Sequence, residues 1–71
     1  MRAHAGTVVE FDSARGLGIV EDAAGDRLGF HCTRIADGTR TVTVGAAVRY
    51  VVVPAALGRW EAAAIEVISA G

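Results

Sequence analysis

The stretch Arg15-Gly16-Leu17-Gly18-Ile19-Val20 constrains this chain more than any other. A basic residue leads into glycines at every second position, with aliphatic residues between and after them. In an extended strand successive side chains point to opposite faces, so Gly16, Gly18 and Val20 share one face while Leu17 and Ile19 share the other. Glycine inside a strand weakens it, because it loses the most backbone freedom on folding and packs no side chain. Two on one face therefore predict that another backbone passes very close, as at a barrel corner. The opposite face displays aliphatic groups. Together these features predict a small β-barrel with one strand presented on its outer surface.

The rest of the chain supplies the other strands. Gly6 to Asp12 is rich in β-formers and bounded by turn residues, predicting a first strand. Val8 and Phe11 have opposite parity within it, so burying both requires a bulge near Val9 or Glu10. Asp12 to Arg15 turns into the second strand, which runs to about Glu21, and Asp22 to Asp26 connects to a third, Arg27 to His31. There Leu28 and Phe30 share one face, Gly29 and His31 the other. Cys32 to Gly38 has room for a helical turn at most. Thr39 to Val44 alternates polar and apolar residues and reads as a short strand or an ordered loop. Ala46 to Val53 is the longest strand, with Val48, Tyr50 and Val52 as its inward row, stopped by Pro54, which cannot donate to a sheet ladder. Ala55 to Gly58 turns the chain into a last strand, Arg59 to Ser69, in which Ala63, Ile65 and Val67 alternate with Ala62, Ala64 and Glu66. Helix competes for Trp60 to Ile68, since Ala and Glu are good helix formers; four preceding strands with an edge to close favour strand. The expectation is an all-β fold: a five-stranded antiparallel Greek-key barrel, closed or nearly so, spanning residues 1–71 as one domain without repeat, linker or low-complexity tract.

Composition narrows the function classes. With 71 residues, 52% apolar and 21% charged, the chain has the balance of a small globular domain rather than a disordered one. All seven basic residues are Arg, and the net charge of −1 supplies no global attraction to nucleic acid or anionic membrane, so such binding needs a local patch. The single Cys32 rules out an internal disulfide and suits a reducing cytoplasm. No charged-then-apolar signal segment opens the chain, and the longest apolar run, Tyr50 to Leu57, is interrupted by Pro54 and far short of a membrane span. A soluble, cytoplasmic protein is expected.

Gly6-Thr7-Val8 with Phe11, Arg15-Gly16-Leu17-Gly18-Ile19, Leu28-Gly29-Phe30-His31, Ile35, and Gly45 with Val48 and Tyr50 together resemble the cold-shock domain family, in order and spacing, from about Gly6 to Val67. The resemblance implies a five-stranded OB-type barrel that binds single-stranded RNA and DNA through two ribonucleoprotein-like motifs on strands two and three. These match Arg15 to Val20 and Leu28 to Cys32. The chain departs from the family where the family's aromatic platform lies. Glu10 stands at the first-strand Trp position, Leu17 and Ile19 stand where the family has Tyr or Phe, and Gly29 and Cys32 replace Phe. Phe11, Arg15 and His31 remain. Gly58-Arg59-Trp60-Glu61-Ala62-Ala63 is similar to the family's Gly-Pro-Gln-Ala-Ala pattern with one extra residue, and its Trp is a departure.

Stacking a base on an aromatic ring contributes about 1–3 kcal/mol, so losing about four rings removes on the order of 4–12 kcal/mol before any aliphatic compensation. Glu10 adds repulsion toward phosphate, which Arg15 only partly offsets. Weak, sequence-tolerant binding of single-stranded nucleic acid is expected, with Phe11, Arg15, Leu17, Ile19, His31, Arg59 and Trp60 as candidate site residues. Each also has an ordinary role open to it: Phe11 as barrel-edge packing, Arg15 and His31 as solvated residues, Trp60 as a half-covered cap on the barrel. Phe30 and Tyr50 fall on inward rows and belong to the core. The alternative is a protein-interaction or homodimer surface centred on Val9, Leu17 and Ile19. Nothing points to an enzyme or a cofactor. His31 and Cys32 face opposite sides of a regular strand, too far apart in direction to act as base and nucleophile. One Cys and two His without close spacing make no zinc site, and Gly16-Leu17-Gly18 precedes no helix, so it is no phosphate-cradling loop.

Overall fold

A computed structural model describes residues 2–69. They form five strands, β1 (Ala3–Asp12), β2 (Leu17–Asp22), β3 (Arg27–His31), β4 (Ala47–Pro54) and β5 (Trp60–Ser69), with single 3-10 turns at Cys32–Arg34 and Ala56–Gly58. The strands close into a barrel in the order β1-β2-β3-β5-β4. Four of the seams are antiparallel, but β3 and β5 meet in parallel through Gly29 and Glu61. The expected all-antiparallel sheet is thereby corrected to a mixed one. The reason is parity: around a closed ring with an odd number of strands, direction cannot alternate at every seam. The segment Trp60–Ser69, for which helix competed, is strand.

The predicted bulge lies in β1. Val8 faces Val20 and Glu10 faces Ile19, which leaves Val9 as the extra residue. Val8 is thereby fully buried while Phe11, three residues on, also turns inward and packs against the core. The backbone of Val8 is held on its other side by the end of the long loop: its N–H donates to the Ala46 carbonyl at 3.0 Å and its carbonyl accepts from Gly45 N–H at 2.8 Å. Thr39 to Val44 is a loop rather than a strand, and β4 begins at Ala47. β1 starts earlier than expected, because Ala3 to Ala5 pair with Val51 to Arg49.

The inward rows of β3 and β4 are as the alternation requires, with Phe30, Val48 and Tyr50 buried and Leu28 and Val52 packed beside them. In β5 the expected alternation fails. Arg49 faces Glu66 but Val51 faces Ala63, so three steps of β5 oppose two of β4. Ala64 absorbs the extra residue with φ at 51°. Ala62, Ala63 and Ile65 are therefore buried, so residues of both expected rows face the core, and Val67 is 46% exposed beyond the core cluster, where a second register shift follows.

Gly16, expected within the second strand, lies in the turn before β2, and neither it nor Gly18 faces a backbone crossing alone. Gly18 lies between Phe11 on β1 and Phe30 on β3 in one inward row, and the two rings stack 6.1 Å apart, 12° from parallel. A Cβ on Gly18 would come within 2.3 Å of the Phe30 ring and 3.0 Å of the Glu10 carbonyl. Gly16, with φ at 67°, sits over the Cys32 thiol. Missing side chains here make room mainly for other side chains, and the Glu10 carbonyl is the only backbone atom among their closest neighbours.

Candidate functional site

The outer face of β2 forms a ridge of Leu17, 47% exposed, and half-buried Ile19. A groove runs along each flank. The first, of about 440 Å³, lies between the ridge and β1, walled by Val9, Glu10, Phe11, Arg15 and Val44. The second, of about 520 Å³, lies between the ridge and the start of β5, walled by Gly29, His31, Arg59, Trp60 and Glu61. All seven candidate residues read from the sequence line one groove or the other, and the two grooves share Leu17, Gly18 and Ile19. Val44, Ala55 and Glu61 were not anticipated. Val44 is 53% exposed; its place was legible only in its position before Gly45, whose N–H ties the loop to β1.

Local chemistry positions each side chain. Asp12 organises the turn carrying Arg15: its Oδ1 accepts from the backbone N–H of Ala14 at 3.1 Å and of Arg15 at 3.2 Å, and its carbonyl accepts from Gly16 N–H at 2.8 Å. This is the Asx-turn chemistry expected of Asp at a turn start. The Arg59-Trp60 pair is presented by a tight reversal in which Ala55 N–H donates to the Arg59 carbonyl at 2.8 Å. Leu57 and Gly58 both take positive φ there. Trp60, opposite Pro54 at the end of β4, is 59% exposed. Its ring is available rather than sealed on the barrel end. Phe11 differs: its ring stacks inward on Phe30 and offers the first groove only its outer part.

His31 ends β3 and caps the short turn after it. Its Nδ1 accepts from Thr33 N–H at 3.2 Å and lies 2.9 Å from Thr33 Oγ1. Since a backbone N–H can only donate, Nδ1 is the acceptor and the neutral ring carries its proton on Nε2. The chain leaves the strand at His31, which places the Cys32 thiol 3.9 Å from Nδ1 instead of on the opposite face. That nitrogen is already committed to Thr33.

The charges divide unequally. Glu61, on the second groove, pairs with Arg34 Nη2 at 3.0 Å, and neither Arg15 nor Arg59 forms an ion pair among the described residues. The second groove thus has a neutralised carboxylate beside an unpaired guanidinium. The first has Glu10 and Asp12 against Arg15 alone. Among the described residues, no cluster of three or more His, Cys, Asp or Glu is placed to hold a metal ion, and no helix is long and apolar enough to cross a membrane. No protein-family model matches the chain, and no curated protein matches it.

Proposed function

We propose that this chain is a divergent cold-shock-like, OB-type barrel that binds single-stranded RNA or DNA weakly and with little sequence preference. Strand order β1-β2-β3-β5-β4 with a parallel β3–β5 seam supports the OB-type assignment. The observation that carries the function is the convergence of Leu17, Ile19, His31, Arg59 and Trp60 around one groove, with Trp60 59% exposed. An exposed ring beside a free cation is the minimal equipment for stacking a base and holding its phosphate. Phe11 and Arg15 extend the same face across the ridge. Stacking energy is independent of base identity to first order, so little sequence preference follows. A cytoplasmic setting, where nucleic acid is abundant and Cys32 stays reduced, fits this role.

Trp60 is the only tryptophan, which makes its fluorescence the direct test. Titration with single-stranded DNA and RNA is expected to give saturable quenching that weakens as salt rises. Silence at high oligonucleotide concentration, matched by a silent direct binding assay, rejects the proposal. Exposure of Val44 beside Val9, Leu17 and Ile19 favours a second reading, an apolar protein-interaction or homodimer surface on the first groove. Association of that kind hardly changes or tightens with salt, so sedimentation of the protein alone at low and high salt separates it from the first.

A further inference from the structure

The ridge that joins the two grooves is flanked by opposite chemistry. Across β1, Ile19 faces Glu10 and Leu17 faces Asp12, so each ridge residue has a carboxylate as its immediate neighbour. Across β3, Ile19 faces Gly29 and Leu17 faces His31. The Asp12 carboxylate caps the Arg15 turn, and Glu10 is exposed and without an ion pair among the described residues. Among the described residues the ridge itself carries no cation, and on its far side Arg15 shares the first groove with the two carboxylates of Glu10 and Asp12.

We propose that the Trp60 groove is a one-nucleotide site, a deepening that rests on the nucleic-acid reading above. One base stacks on the Trp60 indole, its phosphate lies on Arg59, and the His31 Nε2–H supplies a single donor to the base or sugar. The rest of any longer strand stays in solvent, turned away by Glu10 and Asp12. The ligand class is therefore a nucleotide, free or at any position of a flexible strand, and chain length adds nothing beyond the number of registers available.

The test is Trp60 quenching by a nucleoside monophosphate, a trinucleotide and a hexanucleotide, on the wild type and on Glu10→Gln and Arg59→Gln. After correction for registers, the three affinities should agree within about threefold. The hexanucleotide should show a log–log salt slope no steeper than about −0.7, the value for one phosphate contact on a single strand. Arg59→Gln should weaken all three ligands by the same factor. Glu10→Gln should leave the monophosphate unchanged and strengthen the hexanucleotide at least threefold relative to it. A tenfold or greater rise from one to six nucleotides, a slope of about −2 or steeper, or a Glu10→Gln length profile identical to the wild type overturns the one-nucleotide site and leaves the nucleic-acid reading standing. Absence of binding at every length overturns both.

Discussion

Gly18 and Gly29 sit on adjacent strands, and each is bare for a different reason. Gly18 holds open the space in which the rings of Phe11 and Phe30 stack, and a methyl group there meets Phe30 at 2.3 Å. Phe30 is 3% exposed and held by Phe11, so its ring must shift within the core to accommodate the methyl. Overpacking of this kind costs about 1–3 kcal/mol. Gly29 faces outward, and a methyl group on it would lie 3.8 Å from the nearest atom, the Gly18 carbonyl. Urea denaturation should therefore show Gly18→Ala destabilised by about 1–3 kcal/mol and Gly29→Ala unchanged within about 0.5 kcal/mol. Equal losses would show that the space between the rings does not set the requirement at Gly18, since backbone entropy alone favours Ala over Gly at both positions. The paired glycines led to the expectation of a closely passing backbone, whereas the nearest neighbour at Gly18 is the Phe30 ring; strand parity does not reveal it, because that partner stands twelve residues away on another strand.

At the scale of the strand, periodicity was readable wherever the ladder is regular and misleading where it is not. In β1 the parity conflict between Val8 and Phe11 forced a bulge, and the register supplies it at Val9. No such conflict marks β5, since Ala62, Ala63 and Ala64 fit either face. The bulge there is set by the pairing with β4, which a run of alanines does not reveal. Likewise the pairing of Arg34 with Glu61, which leaves Arg59 as the cation of its groove, links residues with no local signature. Ala64 pays for its role with a left-handed backbone, a conformation costing a non-glycine residue about 1–2 kcal/mol. Glycine removes that strain but adds about 0.5–1 kcal/mol of backbone entropy. Ala64→Gly should accordingly be neutral to stabilising, by up to about 1 kcal/mol, in thermal unfolding. A clear loss would mean that the Ala64 methyl contributes packing on the outer face.

For the molecule as a whole, the unusual composition makes one titration visible. The chain has no lysine and one tyrosine, so Tyr50 is the only side chain whose ordinary pKa lies near 10. Burial raises it above its usual 10.0, and the carboxylates of Asp22 and Asp26 add to the effect. Between the two values the native state keeps a proton that the unfolded chain has released. The stability contributed is therefore fully present below about pH 10 and is lost as pH rises through the native pKa. Midpoint temperatures measured from about pH 9 upward should fall in the wild type and stay nearly flat in Tyr50→Phe. A parallel fall in both would assign alkaline unfolding to another cause.

The seam between β3 and β5 rests on one ladder pair, Gly29 with Glu61, followed by the bridge from Ile35 to Ile65. Every other seam is a longer antiparallel ladder, and this one is supplemented by the Arg34–Glu61 ion pair and the Ala36 N–H bond to the Ile65 carbonyl, so the joint between the β1–β2–β3 sheet and β5 has the fewest ladder bonds to hold it. Gly29 and Glu61 are also walls of the Trp60 groove. A molecule seated in that groove would touch both sides of this joint. By mass action such occupancy would add to the stability of the closed ring, the bound molecule serving as its latch.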